Sequence, residues 1–81
     1  MNNLRDIEQL KKFGDRLKLL RTSHNLTLEN LAFAADMELS QVHRIEKAKI
    51  NPTYTTLVAL AAGLKITLAE LVGNELVNNE Y

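Results

Sequence analysis

The chain has 81 residues, no cysteine and a formal net charge of zero, and 46% of its residues are hydrophobic and 25% charged. Such a composition is typical of one small folded domain, and it excludes a disordered chain, disulfides and cysteine-based zinc sites. A chain of this length buries only about 60% of its unfolded surface, so we expect it to gain burial against a second copy.

The charges are unevenly distributed along the chain, although a net charge of zero by itself argues against nucleic acid. Residues 1–50 carry nine Lys or Arg against seven Asp or Glu, whereas residues 51–81 carry one Lys against three Glu. Between residues 11 and 21 the only acid is Asp15, and there are five basic residues: Lys11, Lys12, Arg16, Lys18 and Arg21. This run is either a solvated helix face or a surface for an anionic partner.

The first predicted helix covers about residues 4–23. Gly14 lies inside it and costs roughly 1 kcal/mol relative to alanine, so residues 1–12 are treated as an N-terminal extension of this helix, either a separate arm or a looser first turn. The helix is predicted because apolar side chains recur every three or four positions: Leu4, Ile7, Leu10, Phe13, Leu17 and Leu20.

Two short helices are predicted next, separated by a turn. Thr27 is a suitable N-cap for the first of them, which ends near residue 35, because its hydroxyl can accept a backbone amide of the following turn. After a three-residue turn around Asp36, the next helix begins near Leu39 and closes near Lys47.

Two further helices complete the predicted fold. Pro52 cannot continue a helix, so it belongs to a loop, after which Thr53 caps a fourth helix with Gly63 at its C′ position. Thr67 and Glu70 have the spacing of a capping box, which opens a fifth helix.

No segment alternates as a β-strand would, so the predicted fold class is all-α with five helices. Residues 13–73 form the domain, and residues 74–81 are a polar tail that should fray. The longest uncharged apolar stretch, residues 57–64, is far too short to cross a bilayer. We therefore expect a cytoplasmic protein with no membrane partner.

The segment between residues 26 and 52 combines a capped helix, a turn and a second short helix, which is the geometry of a helix-turn-helix. It resembles the phage-repressor and Cro-like helix-turn-helix family, the XRE family, over about residues 13–72. The resemblance implies a five-helix, lambda-repressor-like DNA-binding domain and a transcriptional regulator. The family pattern is matched by Thr27, Leu31-Ala32, Ile45-Glu46, Ala48 and Asn51-Pro52.

The resemblance also implies that Ser40, Gln41 and Arg44 face the major groove. Helical geometry agrees, since positions 40, 44 and 47 form an outward stripe when Val42 and Ile45 point inward. Arg44 suits guanine, because its planar fork can pair with both O6 and N7.

Leu39 is also included among the base-reading residues, because at the leading edge of that helix it either contacts a thymine methyl or is an ordinary surface leucine. Phosphate contacts are expected from residues in or beside the two helices: Thr27, His43, Lys47, Lys49 and Asn51. Lys11 and Lys18 either belong to the same face or are simply solvated.

Two further sets of residues have predicted structural roles. In this resemblance an arginine late in the first helix pairs with the glutamate that ends the recognition helix, which implies a structural ion pair between Arg21 and Glu46. A homodimer is expected to bind two half-sites of a near-palindromic DNA operator. Its predicted interface is formed by Leu68, Leu71, Leu76 and Val77.

No catalytic constellation, cofactor site or metal site is predicted. His24 and His43 are too few and too far apart in sequence for a metal site, and Ser40 beside His43 has no acidic partner. The alternative function is a protein-interaction module, such as an antitoxin or a controller subunit, with a protein partner that the sequence does not identify. The neutral charge, Leu28, Glu38 and Leu39 favour that alternative.

Overall fold

The computed structural model describes residues 4–73, which form five α-helices joined by short connections. The all-α prediction is therefore confirmed for this part of the chain, in which no β-strand occurs. The helices are α1 (Leu4–Ser23), α2 (Leu28–Ala34), α3 (Leu39–Glu46), α4 (Tyr54–Leu64) and α5 (Leu68–Val72).

All five helices contribute to one apolar core. As predicted, Val42 and Ile45 of α3 point inward, and each exposes at most 1% of its surface. Helix α3 packs against α1 and α2, while α4 packs against α2 and α5, and α5 returns to α1. The other side chains with at most 2% exposure are Leu17, Leu31, Leu60, Leu64 and Leu71.

Three helices begin at threonine caps, as the sequence predicts. The Thr27 hydroxyl accepts the amide of Asn30 at 3.0 Å, and the Thr67 hydroxyl accepts the amide of Glu70 at the same distance. Thr53 caps α4 in the same way. Each cap satisfies an amide that the helix itself leaves unpaired.

Four helices end at a residue in the left-handed conformation, and none of the four is glycine: Asn25, Asp36, Ala48 and Lys65, with φ between 58° and 60°. At the end of α3, the amide of Ala48 donates to the carbonyl of Ile45 at 3.1 Å, and that of Lys49 donates to the carbonyl of Arg44 at 2.8 Å. This pair of bonds is the Schellman motif, which satisfies the last carbonyls and reverses the chain.

The prediction that Gly63 lies just beyond α4 is wrong. Gly63 lies within the helix, and Lys65 adopts the left-handed conformation instead. A Cβ atom on Gly63 would lie only 3.1 Å from the backbone nitrogen of Ala35. Glycine therefore suits this position because α4 approaches the end of α2 closely, and not because the chain turns.

Helix α1 runs through Gly14 without interruption, so residues 4–12 continue the same helix and do not form a separate arm. A Cβ atom on Gly14 would lie 2.5 Å from the carbonyl oxygen of Glu46 and 2.8 Å from that of Ile45. The backbone of α1 thus lies directly against the carboxyl end of α3, at a distance that only glycine permits.

The predicted tail, residues 74–81, and residues 1–3 lie outside the part of the chain that the structure describes. Between residues 4 and 73, no helix is both long and apolar enough to cross a membrane.

Gly14→Ala is predicted to lower the free energy of unfolding by about 1–3 kcal/mol, because the new methyl group would force α1 away from α3. On helix propensity alone, alanine would be favoured by roughly 1 kcal/mol, so the sign of the effect tests the contact. Urea unfolding measures it. Lys12→Ala, at an exposed position of the same helix, is the control and should change stability by less than about 0.5 kcal/mol. A Gly14→Ala protein as stable as the wild type would contradict the close approach.

Candidate nucleic-acid interface

Helix α3 turns one face to the core and the other outward. Ser40 and Arg44, which the sequence places on the outward stripe, are both exposed, and Gln41 is partly exposed. Leu39, at the start of the helix, exposes 42% of its surface. The residues proposed for base readout therefore lie on an accessible surface of α3.

The turn before α3 sets its angle to α2. Asp36 has φ 58°, a conformation that Asp tolerates better than most residues. The amide of Met37 donates to the carbonyl of Ala32 at 2.9 Å, and the amide of Asp36 donates to the carbonyl of Phe33 at 3.1 Å. Because Ala35 already leaves the helix, four residues, 35–38, separate α2 from α3, one more than predicted.

The predicted ion pair between Arg21 and Glu46 forms in the interior. The Nε of Arg21 donates to Oε2 of Glu46 at 2.6 Å, and its Nη2 donates to Oε1 at 3.1 Å. A third donor, Nη1, reaches the carbonyl of Leu26 at 2.9 Å. The side chains are only 10% and 4% exposed, so this bidentate pair links the end of α3 to α1 and to the loop before α2.

The residues predicted to contact phosphate are all exposed: Thr27, His43, Lys47, Lys49 and Asn51. At Thr27 the capping box binds two of the backbone amides. The amide of Thr27 donates to Oδ1 of Asn30 at 3.3 Å, and the amide of Asn30 is bound by the Thr27 hydroxyl. This capping box leaves the amides of Leu28 and Glu29 for an anion.

Leu28 and Glu38, two of the residues that favour the alternative function, begin α2 and cap α3. Leu28 is partly buried and packs against the core, so an apolar side chain is useful at the start of α2. Glu38 is the N-cap of α3 but makes no side-chain capping bond. Its carboxylate still favours the positive end of the helix dipole.

The predicted dimer interface needs correction. Leu71 has no exposed surface because it belongs to the core of its own chain, and Leu68 is partly buried against that core. Leu76 and Val77 lie outside the described residues. The interpretation failed at Leu71 because α5 packs its apolar side onto α1 and α4.

An apolar cleft that the sequence did not reveal lies beside α5. It has a volume of about 280 Å³ and is lined chiefly by Leu10, Phe13, Pro52, Leu57 and Val72. These residues come from α1, the loop before α4, α4 and α5. Helical periodicity places the four helical residues among them on an apolar side of their own helices, but it cannot show that their neighbours leave an open space.

Arg16 has a structural role that sequence reasoning also missed. Its Nε donates to the carbonyl of Leu71 at 2.9 Å, and its Nη2 donates to that of Glu70 at 2.5 Å. A cation at the carboxyl end of a helix is favourable, since the last carbonyls carry partial negative charge. Arg16 thereby holds α5 against α1.

Within residues 4–73, no group of three or more His, Asp and Glu side chains is placed to hold a metal ion.

Residues 17–71 match the model of a protein family described as helix-turn-helix. The chain is 36% identical over 67 residues to the immunity repressor protein of Bacillus phage phi105, a match that covers 83% of this chain and 46% of the repressor. The chain thus corresponds to about half the length of that relative. It is also 38% identical over 61 residues to control protein C.MunI of a Mycoplasma species, covering 74% of this chain and 82% of that protein.

The fold is similar to a solved structure as well. The crystal structure of the restriction-modification controller protein C.AhdI from Aeromonas hydrophila matches with a TM-score of 0.75 and 39% identity. The match covers 76% of this chain and 94% of the controller protein.

Glu46→Ala is predicted to lower the free energy of unfolding by about 3–5 kcal/mol, because it leaves the guanidinium of Arg21 buried without its carboxylate. Thermal or urea unfolding measures the change. Glu8→Ala removes an exposed carboxylate from α1, so as the control it should shift stability by less than about 0.5 kcal/mol. An unchanged unfolding curve for Glu46→Ala would show that the pair contributes nothing.

Proposed function

The chain belongs to the phage-repressor and Cro-like helix-turn-helix family, the XRE family. We propose that it is a transcriptional regulator that binds double-stranded DNA at specific sequences. The observation that carries the proposal is the exposed face of α3, on which Ser40 and Arg44 stand free while the opposite face is anchored in the core. It acts by binding and not as an enzyme, and its expected location is the cytoplasm.

In this proposal α3 enters the major groove, which is about 12 Å wide and admits one helix. Arg44 pairs with guanine through its two parallel N–H donors. Ser40 and Gln41, in the first turn of α3, bind base edges or the nearest phosphate, and the exposed part of Leu39 contacts a thymine methyl group.

Phosphate contacts set the position of α3 without reading sequence. Lys47, Lys49 and Asn51 follow directly after α3, and His43 lies on its exposed side. Thr27 and the open amides at the start of α2 bind a phosphate on the other side of the helix-turn-helix.

We propose that the protein is a repressor or autoregulator that occupies a promoter. Three similar proteins support this role: an immunity repressor, a control protein and a restriction-modification controller protein. Occupancy would then follow the protein concentration.

A homodimer on a near-palindromic operator is the second part of the proposal, because two half-sites about one helical turn apart match a two-fold protein. The apolar cleft replaces Leu71 as its surface. Two of the helices that line the cleft, α1 and α4, carry further exposed apolar side chains: Ile7, Tyr54 and Val58, which are 44%, 67% and 42% exposed. A second copy would cover this surface, which a chain of this size cannot bury by itself.

One observation favours a second candidate function, a protein-interaction module. Phe33 of α2 is 90% exposed, and it lines an open cavity together with Asp36 and Glu38. An exposed aromatic ring between two carboxylates suits a protein better than a phosphate backbone. Salt separates the two functions, because affinity for DNA falls by several decades as salt rises, whereas docking on Phe33 is apolar and should weaken little.

Arg44→Ala is predicted to abolish preference at one base position in each half-site and to cost about 1–3 kcal/mol of binding free energy. Selection of binding sites from random duplex DNA, run in parallel with the wild type, measures it. Lys47→Gln is the matched control, because it removes a cation at the end of α3 and should weaken all sequences alike. Identical selected motifs for wild type and Arg44→Ala would refute the role given to Arg44.

Ile7→Asp is predicted to weaken self-association at least tenfold, because Ile7 lies one helical turn from Leu10 in the apolar cleft and a carboxylate there would be desolvated in the dimer. Sedimentation velocity over a range of protein concentrations measures the change. Phe33→Asp places the same charge on an exposed apolar position of α2 and should leave self-association unchanged. A monomeric wild type, or equal effects of both variants, would exclude the cleft as the dimer surface.

A further inference from the structure

The basic run at residues 11–21 is divided by the fold into two sets. Arg16 and Arg21 are held by protein groups, the first by carbonyls of α5 and the second by Glu46 and the carbonyl of Leu26. The three lysines, in contrast, are all exposed on α1: Lys11, Lys12 and Lys18. The structure thus accounts for the arginines but leaves the lysines without a role.

Two of these lysines face the end of α3. Lys11 and Lys18 line an open cleft of about 230 Å³ whose other wall includes Lys47. Asp15 and Ala48 complete the cleft, together with Glu46. We call this feature the lysine cleft. The lysine cleft lies between α1 and Lys47, the residue that caps the carboxyl end of α3.

The lysine cleft has a surplus of positive charge. The Glu46 carboxylate is bound on both oxygens by Arg21, so that pair is neutral. The remaining charged side chains are three lysines and Asp15. Among residues 4–73, none of the three lysines forms an ion pair. The cleft is therefore suited to an anion, and the spacing of its lysines suits an extended one.

Lys11 and Lys18 are seven residues apart, which is about two turns and about 10 Å along α1. Successive phosphates of one DNA strand advance by about 3.4 Å along the duplex axis. Measured along the duplex axis, the separation of the two lysines equals about three such steps, which is enough for them to meet different phosphates of one strand. Lys47 lies between these lysines and the end of α3.

We propose that the lysine cleft binds the phosphate backbone of the DNA that flanks the base pairs read by α3. The proposal rests on the proposed function, and it adds a contact surface on α1, outside the helix-turn-helix. The flanking contact supplies affinity without sequence preference, because phosphates are the same at every step.

The first test is the salt dependence of binding to a selected operator duplex, measured by fluorescence anisotropy. For each copy of the protein bound to the duplex, Lys11→Gln/Lys18→Gln should reduce the steepness with which log K falls against log salt by about 1.8, and it should reduce affinity at ~0.15 M salt by about 30-fold. For a homodimer, which loses four lysines, these changes are about 3.6 and about 1000-fold. The selected base motif should not change. Lys12→Gln/Lys65→Gln removes the same charge from exposed positions outside the cleft and should reduce affinity less than threefold.

Duplex length provides a second readout. Shortening the flanks of the operator should weaken the wild type more than Lys11→Gln/Lys18→Gln, since the variant has lost the two α1 lysines that reach the flank. Asp15→Asn should act in the opposite direction and raise affinity a few-fold, with Glu8→Gln as its control. All these side chains are exposed, and thermal unfolding of each variant verifies its fold.

The outcomes are separable. A wild-type slope retained in Lys11→Gln/Lys18→Gln, or equal sensitivity of both proteins to duplex length, would overturn the lysine cleft while the proposed function stands. A wild type that binds no duplex at any salt concentration would overturn both.

Discussion

The buried ion pair between Arg21 and Glu46 is the constraint on which the position of α3 depends. Its carboxylate belongs to the last residue of α3, and its guanidinium belongs to α1 and also reaches the loop before α2. Beside it, Gly14 lets the backbone of α1 touch the last carbonyls of α3. A polar clamp and a backbone contact therefore act at the same end of the helix, while Val42 and Ile45 anchor its inner face. The exposed face is thereby held in one orientation.

Features that depend on residues close together in the sequence could be predicted from it. The caps at Thr27 and Thr67 follow from hydroxyl and amide groups three residues apart, and the inward direction of Val42 follows from helical period. Gly63 could not be interpreted in this way, because its reason is a contact with Ala35, which is 28 positions away (63 minus 35). For the same reason Leu71 was misplaced, since periodicity identifies an apolar side chain but not the element that covers it.

In the candidate site, too, features of a single helix could be predicted from the sequence, whereas features that depend on contacts between helices could not. The outward stripe of α3 is a property of one helix, so Ser40 and Arg44 could be identified before the structure was known. The roles of Arg16 and of the lysines in the basic run could not, because lysine and arginine look alike in a charge count. Only the fold shows that Arg16 donates to a carbonyl at the end of α5 and that Lys18 and Lys47 line the same open cleft. The apolar cleft beside α5 is likewise a property of how four elements meet.

The length of α3 limits the number of base pairs that one copy of the protein can read. Its eight residues rise about 12 Å, which corresponds to only three or four steps of a duplex with about 3.4 Å per step. Both of its ends are closed by turns, one at Asp36 and one at Ala48, so it cannot lengthen by winding up adjacent chain. In the proposed mode of binding, one copy would therefore meet a complete match by chance about every 64 to 256 base pairs, which is 4³ to 4⁴. Specific binding at one site in a genome then needs two copies acting together.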